Sequence, residues 1–297
     1  MKRFYHVLIC ACFLLAGCAT RQAQLRVADQ PVPVKDNTHR VLSFDSDLFG
    51  EQPEIISIAE VFRLSDEQQK TFLKYFESPI RRYTPPHERV SDYLQDITMD
   101  FGYQGETFTA LEALQSASGN CLSLAILTTA LAKLAGVDAD YQLVDSAPVF
   151  ESHGNVVYKG QHVRTKLYEP LQEGRQGPPP LSRGGLLVDY FAREGDRFVS
   201  NISEAEYHAM YYDNLASEAI SRKDYNTAYW LLRKVIELTP DSSSAINSMA
   251  VVHRRAGHMD KAEEIYKYAI EYLPNKVILL RNYRVLLVEQ GRHDEAG

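Results

Sequence analysis

The chain has 297 residues, of which 45% are hydrophobic and 24% are charged. These values are ordinary for a folded globular protein, and they exclude a disordered, collagen-like or disulfide-dense chain. The formal net charge is −7 and no block of five or more like charges occurs, so we expect no nucleic-acid partner. At roughly 100–200 residues per domain, the length predicts two domains.

The first 17 residues have the pattern of an export signal. Lys2 and Arg3 precede an apolar stretch, residues 4–16. This stretch is too short to cross a bilayer core as a helix, which takes roughly 20 residues, and its length is typical of a secretory signal. The pattern therefore predicts that residues 1–17 are a signal peptide.

The end of this stretch, LAGC at residues 15–18, resembles the bacterial lipobox. The resemblance implies cleavage before Cys18 and diacylation of its thiol, so that a lipid anchor holds the protein on a membrane. Ala19 then implies sorting to the outer membrane, facing the periplasm. Residues 18–41 would form the lipidated cysteine and a polar tether. The alternative is an ordinary signal peptide with a chance cysteine.

Cys121 is the one cysteine left in the mature chain once the signal is removed and Cys18 is lipidated. It follows a turn-like run, residues 118–120, and opens a segment, residues 121–136, that is apolar nearly all round. This pattern predicts a buried helix that ends at Gly136. A helix N-terminus favours a thiolate, although a small buried apolar cysteine is the plain alternative.

The sequence around Cys121 is similar to the core of the transglutaminase-like superfamily of cysteine enzymes. The matching pieces are TALEAL at 109–114, GNC at 119–121 and AGV at 135–137, followed by a strand through Tyr141 and Leu143. The resemblance implies a papain-like α+β domain, which we place at residues 42–204, with a Cys–His–Asp triad in that order. The sequence has no metal-ligand cluster, phosphate loop or nucleotide fingerprint, so we expect neither a metal nor a cofactor.

Two histidines and two aspartates after Cys121 are candidates for the rest of the triad. His162 begins HVRTKLYEP, whose alternation predicts a strand, whereas His153 lies in a turn-like run. The family resemblance implies a histidine at a strand start, which favours His162. Asp189 is the single carboxylate in the apolar segment LLVDYF, where an isolated charge is costly, and Asp196 is the alternative. The candidate catalytic residues are therefore Cys121, His162 and Asp189.

Several positions recur every 34 residues in the last third of the chain. The recurring sets are Ala228–Ala262–Ala296, Leu215–Met249–Tyr283, Gly257–Gly291 and Pro240–Pro274. This period resembles the tetratricopeptide repeat, in which each unit is a pair of helices. It predicts an all-α solenoid over residues 205–297 that binds a protein or peptide. The units are predicted at 209–242 and 243–276, with a partial one at 277–297.

These expectations combine into two alternative functions. The first is an envelope lipoprotein with a transglutaminase-like cysteine hydrolase that cleaves an amide or peptide bond, while the repeats hold the polypeptide. The second is a catalytically inactive domain of the same fold that serves as a scaffold, with the protein acting as an adapter through its repeats. The order in which Cys121, His162 and Asp189 follow one another favours the hydrolase.

Overall fold

The computed structural model of the protein describes residues 42–44, 46–99, 101–103, 105–145, 161–171, 183–189, 192 and 196–297. Residues 42–297 form one compact unit. The predicted signal peptide, Cys18 and its tether lie outside the described residues, as does His153. Within the described ranges, no helix combines the length and the apolar character that crossing a membrane requires.

Five helices precede the main sheet in the chain. Four of them begin with a capping box, in which a polar side chain and a side chain three residues later bond each other's backbone: Ser57 with Glu60, Ser65 with Gln68, Thr109 with Glu112, and Asn120 with Ser123. These caps set where the helices begin. The five helices are α1 (Ile58–Val61), α2 (Asp66–Phe76), α3 (Pro86–Thr98), α4 (Ala110–Ser116) and α5 (Cys121–Leu134).

Helix α5 is the centre of this half of the molecule. Its residues from Leu122 to Ala132 are all buried, which agrees with the predicted apolar surface on every side. Lys133 lies in its last turn, and the chain leaves the helix through Gly136 at φ 66°. The prediction of a buried helix that begins at Cys121 is confirmed.

Two sets of strands flank α5. A short parallel pair joins β1 (Gly102–Tyr103) to β2 (Ser118–Gly119) immediately before the helix. A four-stranded antiparallel sheet has the order β5-β4-β3-β6, and α5 packs on β4. The strands of this sheet are β3 (Ala139–Asp145), β4 (Gln161–Tyr168), β5 (Gly185–Val188) and β6 (Arg197–Ile202).

The rest of the chain is a series of paired helices. They are α6 (Glu204–Ser221), α7 (Tyr225–Leu238), α8 (Ser243–Arg255), α9 (Met259–Tyr272) and α10 (Lys276–Glu289). The predicted small positions, Ala228 and Ala262, are fully buried in α7 and α9, where two helices approach closely. Helix α6 begins at Glu204 because Ser203 caps it with Glu206. It spans the predicted domain boundary at 204/205, which stays a prediction.

The first of these helices packs against the sheet half of the molecule. The ring of Tyr207 stacks on that of Tyr141 in β3, with centroids 3.8 Å apart, and the Tyr207 hydroxyl lies 3.3 Å from Thr129 Oγ1 in α5. At the surface, Lys133 Nζ donates to Glu204 Oε1 at 2.8 Å. Helix α6 therefore belongs to the core of both halves.

Candidate active site

Cys121 is the first residue of α5 and is partly buried. Asn120 caps the helix, because its Oδ1 accepts a hydrogen bond from the backbone N–H of Ser123 at 2.9 Å. A helix N-terminus carries partial positive charge and unsatisfied N–H groups, which favour an anionic sulfur. The sequence motif at 119–121 thus places a thiol where a thiolate is stabilised.

The backbone before Cys121 requires a glycine. Gly119 has φ 148°, and a Cβ at this position would lie 2.6 Å from the Cβ of Ser123. The Ser123 hydroxyl cannot easily give way, because it accepts a hydrogen bond from the backbone N–H of Phe108 at 2.8 Å. Only glycine therefore fits the backbone conformation that leads into α5.

Hydrogen bonds through Thr107 connect the N-cap of α5 to α6, the first helix of the repeats. Asn120 Nδ2 donates to Thr107 Oγ1 at 2.7 Å, and Asn214 Nδ2 in α6 donates to the same hydroxyl at 3.2 Å. The backbone N–H of Thr107 donates to Glu218 Oε1, also in α6, at 3.0 Å. The position of Cys121 is thus tied to the helical repeats through Thr107.

His162 is the second residue of β4, and one of its ring nitrogens lies near two carboxylates. Its Nε2 lies 3.2 Å from Asp189 Oδ2 and 3.8 Å from Asp196 Oδ2. Asp189 follows the last residue of β5, and Asp196 precedes the first residue of β6. The three side chains are 9%, 11% and 10% exposed, so water screens their charges weakly.

The contact with Asp189 bears on which ring nitrogen of His162 carries the proton. A carboxylate at Nε2 accepts a hydrogen bond from the N–H of that nitrogen, which favours the ring tautomer that carries the proton there. The other ring nitrogen, Nδ1, is then the one suited to exchange a proton with a thiol. Helix α5 packs on β4, so the elements that begin at Cys121 and carry His162 are in direct contact.

Cys121 also lies within electrostatic reach of Tyr207. Burial raises the pKa of the Tyr207 phenol well above its ordinary value, and charge on Tyr141 and Cys121 acts in the same direction. Tyr207 stays a neutral hydroxyl at any physiological pH. Its ring stacks on Tyr141, and its hydroxyl lies beside Thr129, in the second half of α5.

The same three residues could also hold a divalent cation. One ligand atom from each of His162, Asp189 and Asp196 lies within 4.8 Å of the others. Imidazole nitrogen and carboxylate oxygen are donors that zinc and manganese accept. A cation bound at Nε2 would replace the proton that this nitrogen donates to Asp189. The sequence named these three residues only as candidates for the triad, because their spacing does not match a metal-ligand motif.

The structure therefore brings together two of the three predicted catalytic residues in direct contact and places the third on the helix that packs on their strand. Asp189 is the closer carboxylate. Asp196, which sequence reasoning kept as the alternative, faces the same nitrogen. His153 lies outside the described residues, so the comparison between the two histidines is not tested.

No known family model matches the chain. It is 30% identical over 81 residues to the uncharacterized protein y4yS of Sinorhizobium fredii, and 29% identical over 100 residues to the Photosystem I assembly protein Ycf3 of a Synechococcus species. These matches cover 27% and 33% of this chain, and 44% and 57% of the relatives. The chain thus spans about half the length of the curated relatives it matches.

Two solved structures are similar to parts of the chain. One is a mutant of MamA, with a TM-score of 0.27 and 26% identity, covering 32% of this chain and 69% of that one. The other is a candidate cysteine protease from Cytophaga hutchinsonii, with a TM-score of 0.29 and 18% identity, covering 49% of this chain and 47% of that one. Both scores are too low to equate the folds. On the strength of its 34-residue period and paired helices, the last third of the chain consists of tetratricopeptide-like helical repeats.

Proposed function

We propose that this protein is a lipid-anchored cysteine hydrolase of the transglutaminase-like type, which cleaves an amide or peptide bond. The observation that carries the proposal is the contact between His162 Nε2 and Asp189 Oδ2, at 3.2 Å, on a strand against which the Cys121 helix packs. A nucleophile, a base and a group that orients the base are the minimum for covalent acyl transfer.

The reaction would proceed through an acyl-enzyme. His162 Nδ1 takes the proton of Cys121, whose sulfur attacks the substrate carbonyl carbon. Backbone N–H groups at the start of α5 stabilise the oxyanion that forms. His162 then protonates the leaving amine as the carbon–nitrogen bond breaks. Water attacks the thioester, gives its proton to His162 and releases the carboxylic acid, which restores the thiol.

Asp189 has a positioning role in this scheme. Its carboxylate accepts a hydrogen bond from the Nε2–H group, so the imidazole keeps the tautomer and the orientation that direct Nδ1 toward the thiol. Asp196 adds a second negative charge on the same side of the ring at 3.8 Å. Both carboxylates stabilise the imidazolium that forms when the thiol ionises.

The repeats and the predicted lipid anchor have separate roles in this proposal: binding the substrate and attaching the protein to the membrane. Helical repeats of this kind present an extended surface on which a polypeptide can lie. We propose that they hold the polypeptide substrate near Cys121, and that diacylated Cys18 keeps the protein on the periplasmic side of the outer membrane. Two acyl chains suffice for stable attachment without a transmembrane helix.

The proposal is tested by looking for Cys121-dependent hydrolysis. The protein from residue 24 onward is incubated with a complex peptide mixture in water enriched in oxygen-18, beside the Cys121→Ala variant. Mass spectrometry should find new carboxyl groups that carry the heavy oxygen with the unchanged protein alone. Equal results for the two proteins would instead support the scaffold, in which the repeats act as an adapter.

A further inference from the structure

A cavity lies at the first pair of helices in the repeats. It has a volume of about 440 Å³ and is formed by α6, the end of α7 and the turn into α8. Three carboxylates line it, those of Glu206, Asp213 and Asp241, and none of its described lining residues is basic. Its remaining walls are largely apolar, from residues such as Ala209, Met210 and Leu238.

Asp213 is the unusual member of this group. Its Oδ1 is shielded from solvent and meets no hydrogen-bond donor among the described residues. The residue as a whole is partly exposed, and its side chain lines the cavity. Burial raises the pKa of Asp213 to about 6. A carboxylate placed this way is costly to ionise unless something outside the chain compensates it.

The repeat architecture does not require an acid at this position. The equivalent residue 34 positions later is Asn247, in the first helix of the next pair. Asn247 is neutral, and its Oδ1 accepts a hydrogen bond from Asn282 Nδ2 at 2.9 Å. A satisfied amide therefore serves the packing there, and packing gives no reason for the charge of Asp213.

We propose that this cavity binds the ammonium or guanidinium group of a lysine or arginine side chain presented by a partner polypeptide. The cation would lie against Asp213, with Glu206 and Asp241 adding negative potential. The methylene stem would lie along the apolar wall, since long basic side chains bury their stems while the head stays polar. The inference rests on the proposed role of the repeats in holding a polypeptide, and it is independent of chemistry at Cys121.

The test measures binding of simple peptides to the full-length protein in detergent micelles, with Cys121→Ala so that nothing is cleaved. The probes are fluorescent pentapeptides with one central lysine, arginine, norleucine or glutamate between alanines, followed by fluorescence anisotropy. We expect the lysine and arginine peptides to bind at least about tenfold more tightly than the norleucine peptide, the equivalent of one charge-assisted hydrogen bond.

Two variants locate the effect. Asp213→Asn removes the charge with almost no change in shape and should bring the affinity of the lysine peptide to that of the norleucine peptide. Glu271→Gln removes an equal charge from an exposed position on α9 and should leave the preference intact. Because Asp213→Asn removes a buried charge, we expect it to fold at least as well as the unchanged chain.

Three results would overturn the inference. They are equal binding of lysine and norleucine peptides, a preference that survives in Asp213→Asn, and calorimetric binding of calcium or magnesium ions that disappears in that variant. The last would assign the cavity to an inorganic cation. Every binding measurement uses Cys121→Ala, so its outcome does not depend on whether Cys121 is reactive. Failure of this inference can therefore be told apart from failure of the proposed hydrolase.

Discussion

Asn120 donates from its side-chain amide to the hydroxyl of Thr107 across 2.7 Å, and this contact joins the start of α5 to the first repeat helix. Thr107 is in turn held by Asn214 and Glu218, more than 100 residues further along the chain. The residue next to the candidate nucleophile is thus positioned by a segment that the period of 34 assigns to the repeats. Sheet half and repeats are coupled at the place where chemistry is proposed.

Thr107→Val should therefore weaken both the fold and the reactivity of Cys121. Valine matches threonine in shape but leaves the amides of Asn120 and Asn214 without their acceptor, which costs about 2 kcal/mol in a buried position. Urea denaturation measures the loss, and iodoacetamide labelling at pH 7 measures the thiol. Thr98→Val is the control. Among the described residues, the Thr98 hydroxyl bonds only carbonyl groups of its own helix, so we expect a change within about 0.5 kcal/mol. Equal effects of the two variants would contradict the coupling.

Asp189→Asn should reduce the reactivity of Cys121 more than Asp196→Asn does. The nearer carboxylate, at 3.2 Å from His162 Nε2, is the hydrogen-bond acceptor, while the other lies beyond ordinary hydrogen-bond range at 3.8 Å. We expect the alkylation rate of Cys121 to fall about tenfold or more in Asp189→Asn, since a positioned base contributes at least that much. In Asp196→Asn the rate should fall less than about threefold. Labelling rates at constant pH measure both. The reverse order would make Asp196 the orienting acid.

Two glycines should respond differently to substitution by alanine. Gly119→Ala should cost about 3 kcal/mol, because the new Cβ would meet Ser123 at 2.6 Å in addition to the strained φ of 148°. Gly136→Ala should cost about 1 kcal/mol, because its φ of 66° is strained but no atom lies within 4 Å of the added Cβ. Thermal and urea unfolding compare them. Equal losses would mean that Ser123 moves aside freely.

Asp213→Asn should stabilise the protein at neutral pH. The pKa of Asp213 is about 6 in the folded chain and about 3.9 when unfolded, so ionisation is unfavourable in the fold. The folded state therefore loses stability as pH rises from about 4 to 6, and the loss is complete above pH 6. We expect the variant to gain about 2 kcal/mol at pH 7.5, after allowance for the partial exposure of the residue, and nothing at pH 3.5.

The control for this pH dependence is Glu271→Gln, which changes the same charge on an exposed helix face. It should leave the free energy of unfolding within about 0.5 kcal/mol at both pH values. Glu206 and Asp241 line the same cavity, so the measurement is made at constant ionic strength. A gain for Asp213→Asn that persists unchanged at pH 3.5 would show that burial of the charge is not its cause.

The sequence predicted the elements whose signals are local. The apolar run after Cys121 predicted a buried helix, and the 34-residue period predicted the helix pairs, because each pattern records burial directly. The pairing of His162 with Asp189 was expected from the family resemblance and from the cost of an isolated carboxylate in an apolar segment.

Other features depend on register and on distant contacts, which no local pattern records. Asp196 lies next to the first residue of β6, which pairs with β3 with a register shift between Leu143 and Val144, and its carboxylate lies 3.8 Å from His162 Nε2. The bond from Asn120 to Thr107 and on to Asn214 requires knowing how α6 packs. From the sequence, Asp213 is an ordinary polar residue in a helix, and only the structure shows that it lines a cavity.

The most direct test of the Cys121–His162 pair is the rate of alkylation by iodoacetamide from pH 4 to 10. In the protein from residue 24 onward, Cys121 is the only cysteine, so the label reports one thiol. We predict a rate plateau that is reached below about pH 7, and a shift of that plateau to higher pH in His162→Ala. A thiol that titrates near its ordinary value of about 8.5 in both proteins, or that reacts only after unfolding, would contradict an activated nucleophile.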